Sequence, residues 1–340
     1  MRVAVAGGTS IVAQEIITRL ANNGHEVVAF DVTSPRDVVQ WIKLDFRQPE
    51  TVGAALEHVD GAFDAFVIAV DCMPREGQAR EILIARFLST RLMLEAMVAR
   101  LSWGASILTI ASSMGWRWRQ NFFQVQELMK LSSADEVQGF LERYDMEEFR
   151  AYSIASEALI AMSTLKTEAF IAQGIRTNTI SPAAVNNEFF DVFTKRFGPK
   201  ALANLARAGR VDCPNEIANV VEWMISEQST WINGQDIIVD GGIEAMITSD
   251  HLRNARRSNQ NQSVFEIATR RSVLKRSARV ALVVGTVLAA LNHGDRVMTG
   301  DADLKTLSKI CLTFCVPFCV STYSSVIALR GNNKRNQPPI

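Results

Sequence analysis

Residues 1–31 read MRVAVAGGTSIVAQEIITRLANNGHEVVAFD, and the order of patterns within them decides the fold. Arg2–Ala6 is a short β-branched run of the kind that forms a buried strand. It passes directly into AGGTSIVAQEI, a glycine turn that opens a helix. Glu26–Asp31 is then a second β-branched run. A strand, a glycine turn, a helix and another strand form the repeating unit of a parallel sheet covered by helices. At such a turn, backbone N–H groups and the helix dipole face outward together, an arrangement suited to a pyrophosphate.

Working outward, the same alternation continues through Ala65–Val70, Ser106–Ala111, Arg176–Ile180 and Asp236–Asp240, with helix-period segments between them. The class expected for residues 1–246 is therefore α/β, a Rossmann-type doubly wound parallel sheet. After Gly241-Gly242 the composition turns polar and basic (SDHLRNARRSNQNQS), as a linker would. From Met246 to Arg279 there are eight Lys or Arg against Asp250 and Glu266. The whole chain of 340 residues balances 36 basic with 36 acidic side chains, which gives no reason to expect nucleic acid as a partner. The N-terminus enters a strand directly, so export is not expected. Five cysteines without a disulfide spacing fit a reducing cytosol. The four histidines have no ligand spacing around them, and no metal site is expected.

Apolar character returns near the end of the chain. Val280–Gly294 and Ile310–Leu329 lack Asp, Glu, Lys and Arg over fifteen and twenty residues. The second is long enough to span a bilayer core and the first is marginal. Arg330, Lys334 and Arg335 follow the second run, as the basic linker precedes the first. Basic flanks on both outer ends predict a transmembrane helical hairpin in the inner, cytoplasmic membrane, with lipid as a partner and both termini in the cytoplasm. A helical pair buried on the soluble domain is the alternative. The expected organisation is a domain at 1–246, a basic linker at 247–278 and a two-helix membrane domain at 279–332.

Two carboxylates mark the nucleotide side of the sheet. Asp31 ends the second strand, where it can accept hydrogen bonds from ribose hydroxyls and repel a 2′-phosphate, so NAD is expected and NADP disfavoured. KLDF follows the next strand and puts Asp45 within reach of the adenine. Gly7 in GGTSIVA, Ser112 in TIASSMG, Tyr152 in AYSIAS, Pro182 in RTNTISPA and the terminal INGQDIIVDGG together resemble the short-chain dehydrogenase/reductase family. The long interval from Ser112 to Tyr152 is most similar to its bacterial 3α-hydroxysteroid dehydrogenase/carbonyl reductase and coniferyl-alcohol dehydrogenase branch. That resemblance implies an alcohol or ketone substrate, with Tyr152 as general acid/base, Ser112 (or Ser113, one position on) holding the substrate oxygen, and Ser156 at the position of the family's lysine. It also implies cofactor contacts at Gly7, Thr9, Ser10, Ile11, Asp31, Asp45, Pro182 and Val185.

The chain departs from the family pattern at several of these places. Ile11 and Ala13 stand where the phosphate turn has its second and third glycines. Asp71 replaces a strand-end glycine, Ala183 replaces the glycine after Pro182, and the position of a helical asparagine falls near Ala85. Ser156 is neutral and supplies no positive charge to draw a phenol down from its usual pKa of about 10. Lys166 lies ~21 Å further along a continuous helix at about 1.5 Å per residue, out of reach, and Arg150 precedes the helix. The insert at 115–150 carries Trp116, Trp118, Phe122 and Phe123, which either line an apolar substrate pocket or pack the insert on the core.

ALVVGTVLAALNHGDRV and LSKICLTFCVPFCVSTYSS resemble the two-helix nitrate/nitrite transporter family NrtS, through Asn292, Gly294, Asp295, Pro317, Ser321 and Thr322. Hydroxyls and amides in such helices either hydrogen-bond an anion or pair helix to helix. Two helices cannot enclose a pore, so a homo-oligomer is expected. Two functions follow. One is a membrane-anchored NAD-dependent oxidoreductase. The other is a nitrate/nitrite transport protein whose degenerate nucleotide-binding domain regulates it.

Overall fold

The computed structural model describes residues 1–183, 203, 206–208, 210, 213–260, 264–298 and 304–335. The chain divides into two compact units, Met1–Ile247 and Thr248–Ile340.

The first unit runs β1 (Arg2–Ala6), α1 (Ile11–Asn22), β2 (Glu26–Asp31), β3 (Gln40–Lys43), α2 (Thr51–Glu57) and β4 (Phe63–Ile68). There follow α3 (Ala79–Leu83), a π-helical segment Ile84–Ser89, α4 (Thr90–Met97) and β5 (Leu101–Ile110). The insert contributes α5 (Phe122–Lys130) and α6 (Ala134–Tyr144), and the unit continues with α7 (Glu148–Ile171), β6 (Arg176–Pro182), α8 (Pro214–Ile225) and β7 (Asp236–Val239).

The strands form one parallel sheet in the order β3-β2-β1-β4-β5-β6-β7. Successive side chains alternate between its faces. Val3, Val5, Val27, Ala29, Ala65 and Val67 meet Ile16, Ile17 and Leu20 of α1 and Ile217, Val221 and Met224 of α8. Ala4, Ala6, Val28, Phe30, Phe66 and Ile68 meet the layer built from α2 to α7. Strand order reverses between β1 and β4, and in an open parallel sheet the ligand crevice lies beyond the strand ends at that switch point.

Within the second unit, α9 (Ile243–Gln260), which begins in the first, is followed by α10 (Val264–Ala268), α11 (Arg271–Met298) and α12 (Leu304–Arg335). The polar stretch at 247–278 is thus helical over most of its length. It contains neither Gly nor Pro, so nothing in its sequence breaks a helix. Helices α11 and α12 pack as an antiparallel pair through small residues. Ser277 is fully buried, the Thr322 hydroxyl lies 2.9 Å from its Oγ, and Gly285 faces the ring of Phe314 so closely that a Cβ would sit 2.4 Å from Cδ1. Within α12, Ser308–Ala328 is long and apolar enough to cross a membrane, with a mean hydropathy of 1.8.

Candidate active site

The glycine turn at the end of β1 fixes the nucleotide end of the crevice. Gly7 has φ +82°, and a Cβ there would lie 2.6 Å from the Cα of Val70, so only glycine lets the turn close on the end of β4. Ser10 caps α1, its Oγ accepting from the Ala13 N–H at 3.2 Å. Capping at this point leaves the preceding amides of the first helical turn directed outward. The two replaced glycines do not fill the crevice. Ile11 is 54% exposed, with its side chain turned to solvent, and Ala13 is buried in the core against the sheet.

Asp31, at the end of β2, is buried. Its Oδ2 accepts from both the N–H and the hydroxyl of Thr9 at 2.9 and 2.8 Å, and its Oδ1 accepts from the Val32 N–H at 2.6 Å. The carboxylate ties the end of β2 to the glycine turn and lines the same cleft as Gly7, Thr9, Ser10 and Asp45. Asp45, which lines this cleft, is paired with a cation. Arg47 holds both its oxygens, Nε to Oδ1 at 2.9 Å and Nη2 to Oδ2 at 2.8 Å. The bidentate guanidinium keeps the Asp45 carboxyl below its ordinary range.

The cleft continues past Val70 and Asp71 into a small recess of about 60 Å³ lined by Ser10, Asp71, Arg86, Ser112, Tyr152 and Pro182, among others. Ser112 follows β5 and caps a short helical turn, accepting from the Met114 N–H at 3.2 Å. That turn is pressed against α7 at Gly115, where a Cβ would meet Ile160 at 2.7 Å and the backbone of Ser156 at 3.0 Å. The close approach sets Ser112 beside Tyr152 on the first turns of α7. The phenol of Tyr152 donates to Asp71 Oδ1 at 3.4 Å and accepts from Ser112. Ser113 is not among the residues lining this space.

A residue that the sequence reading did not single out lies at the centre of the site. Arg86 enters from the π-helical segment and is 2% exposed. It pairs with Asp71 through Nη1, which also reaches the Val70 carbonyl at 3.4 Å. Its Nη2 donates to the Ala111 carbonyl and to Ser156 Oγ, both at 3.3 Å. The guanidinium carbon lies 4.1 Å from the centre of the Tyr152 ring. Burial pushes the Tyr152 phenol far above its ordinary pKa. The Arg86 charge and the Ser112 hydrogen bond pull it back, and Asp71 pushes it further up. At neutral pH the site therefore holds a protonated phenol.

Of the insert's aromatics, Phe123 is exposed and Trp118 packs on the core. None of Trp116, Trp118, Phe122 and Phe123 is among the residues lining the cleft, so the pocket expected from them is not formed there. The insert instead packs Val125, Leu128, Val137 and Phe140 into the main core. Val185, expected beside the cofactor, lies outside the described residues.

A family model described as enoyl-(acyl carrier protein) reductase, of the short-chain alcohol dehydrogenase type, matches residues 3–244. The chain belongs to the short-chain dehydrogenase/reductase family. It is 26% identical over 245 residues to coniferyl-alcohol dehydrogenase of Pseudomonas sp. (strain HR199 / DSM 7063), covering 71% of this chain and 96% of that protein. It is 20% identical over 229 residues to 3-alpha-hydroxysteroid dehydrogenase/carbonyl reductase of Comamonas testosteroni, covering 66% and 89%. The structure of 3-alpha-hydroxysteroid dehydrogenase from Pseudomonas sp. B-0831 complexed with NADH shares the fold, with a TM-score of 0.63, 18% identity and coverage of 73% and 99%. In this short-chain dehydrogenase/reductase the glycine turn and the capped first turn of α1 fit a nicotinamide dinucleotide.

Proposed function

We propose that the protein is a membrane-anchored oxidoreductase that interconverts an alcohol and a ketone with NAD. One observation carries this reading: Tyr152 and Ser112 converge on one cleft, which continues to Asp31 and the glycine turn. The nicotinamide, when bound, supplies hydride-transfer chemistry. Gly7, Thr9, Ser10 and Asp31 would hold the nucleotide, and Pro182, at the end of β6, bounds the cleft at the far side. Ser112 holds the substrate oxygen by a hydrogen bond, and Tyr152 Oη gives a proton to that oxygen on reduction and takes it on oxidation. Because the phenol is protonated at neutral pH, the free site is set for reduction. The family resemblance and the two named relatives support an alcohol or ketone as the substrate class, and Asp31 supports NAD over NADP.

The test is NADH oxidation by the full chain with aryl and alicyclic ketones, comparing Tyr152→Phe. Loss of one general acid/base group is expected to lower kcat by about 10²–10⁴-fold while NADH still binds. Undiminished turnover in Tyr152→Phe would remove its assigned role.

The membrane part of the proposal rests on α12 and on the basic residues flanking the hairpin. The alternative in which the hairpin moves nitrate or nitrite is less well supported, because the hydroxyls of Thr322 and Ser277 are spent on pairing α12 with α11.

A further inference from the structure

We infer that Arg86 is the positioning residue of this site: its guanidinium holds the Tyr152 phenol between Ser112 and Asp71 and stabilises the phenolate when the proton leaves. The inference rests on the oxidoreductase reading for its chemistry, and on geometry for its assignment.

A guanidinium taken out of water costs several kcal/mol unless its donors are satisfied. All four terminal N–H bonds of Arg86 have acceptors, in Asp71, Val70, Ala111 and Ser156. Among the described residues its Nε has no acceptor. The π-helical segment Ile84–Ser89 adds a residue to the turn, and π-bulges recur at functional sites because they re-aim one side chain. All six residues of the segment are buried; Arg86 is the charged one, and its guanidinium lies over the phenol ring.

Position 156 shows why the charge comes from this helix. Ser156 is fully buried one turn beyond Tyr152, and its Oγ is already 3.3 Å from Arg86 Nη2. A longer side chain at 156 would enter the space that the guanidinium fills. The two positions are alternative sources of one cation, and this chain uses position 86.

On oxidation, with a bound nicotinamide to accept the hydride, the alcohol proton would pass to Tyr152 Oη. The phenol proton moves to Asp71 Oδ1, and the 42%-exposed Asp71 side chain returns it to water. The sum is alcohol plus NAD⁺ giving ketone, NADH and a proton. Among the described residues, the groups facing the phenol include Arg86 from the π-helical segment, Asp71 from the end of β4, Ser112 from the end of β5 and the neutral Ser156 on its own helix. Cys72, beyond Asp71, stays a thiol because burial pushes its pKa up.

The test places a ring-fluorinated tyrosine, intrinsically more acidic than tyrosine, at position 152 of the full chain and follows its phenol by ¹⁹F NMR against pH. Arg86→Gln is expected to raise the phenol pKa by about 1–3 units, the usual effect of losing an opposite charge at this range. Arg86→Lys is expected to raise it less, and Arg86→Gln/Ser156→Lys to restore it. The pH profile of kcat should move with it in each variant. An unmoved phenol in folded Arg86→Gln overturns the inference. If Arg86→Gln does not fold, the double variant decides, and a folded double variant whose phenol titrates a unit or more above the parent overturns it. A shifted phenol with no turnover on any ketone sinks the oxidoreductase reading alone. Turnover with an unshifted profile in Arg86→Gln sinks the inference alone.

Discussion

Asp31 performs two tasks with one carboxylate. It accepts from Thr9 and Val32, fixing the glycine turn on the end of β2, and it places negative charge in the nucleotide cleft. The second task gives a cofactor prediction. Asp31→Ser keeps a short hydrogen-bonding side chain for Thr9 but removes the charge that a 2′-phosphate would meet. The ratio of NADPH to NADH dissociation constants, read by fluorescence titration, should fall by about tenfold or more, equivalent to ~1.4 kcal/mol. An unchanged ratio would place cofactor choice elsewhere, with Arg47 next to be tested. Asp31 was legible in the sequence because a strand-end carboxylate has a recognisable position. Arg86 was not, although a signal existed: Ile82-Leu83-Ile84-Ala85-Arg86-Phe87-Leu88 carries one cation inside an apolar helical run. A buried charge demands partners, but those partners come from β4, β5 and α7, distant in sequence, and an extra residue in the turn shifts which position faces inward.

At the scale of elements, the site depends on how α7 is clamped to the insert. Glu157 on α7 is 1% exposed and accepts from Arg150 Nη1 and from Asn121 Nδ2, both at 2.8 Å. Arg150→Met would leave a buried carboxylate with one neutral donor. A fully buried pair so broken costs about 3–5 kcal/mol, and because Arg150 is about a third exposed we expect ~2 kcal/mol in urea unfolding of the full chain. Arg150→Met/Glu157→Leu should recover part of that loss, since both charges are then gone. A loss below about 0.5 kcal/mol in Arg150→Met would show that other groups neutralise Glu157. The elements themselves differ in how well the sequence marks them. β1 and β2 have the ranges their β-branched runs predict, since glycine turns bound them. β5 begins at Leu101, five residues before its apolar run at Ser106, and a register shift against β4 separates the two parts. Pairing with a neighbour, which local pattern does not encode, set that boundary. The polar stretch after Gly242 shows the opposite case, because composition predicted a linker without its conformation, and the lack of Gly and Pro permitted helix.

At the scale of the molecule, the family relationship accounts for residues 3–244 and leaves the second unit to be explained by its own surface. α11 and α12 pack on each other with small residues inward, and they leave Leu282, Val283, Leu312, Val316, Val320 and Ile327 exposed by 51–65%. An exposed apolar surface of this kind is stable in water only when something covers it. Lipid is the covering we propose, since Ser308–Ala328 is of spanning length and the basic residues lie at both outer ends of the hairpin. The full chain should then pellet with membranes and resist alkaline carbonate washing. Val316→Arg/Val320→Arg places two charges on the outward face near the middle of the span. At about 2.5–3.5 kcal/mol each, they should shift the chain to the wash or block its insertion, with NADH binding by the first unit retained. A parent chain that the wash releases completely would show that protein, in a homo-oligomer, covers these faces instead of lipid, and the double-arginine variant would then change oligomeric state rather than membrane partitioning.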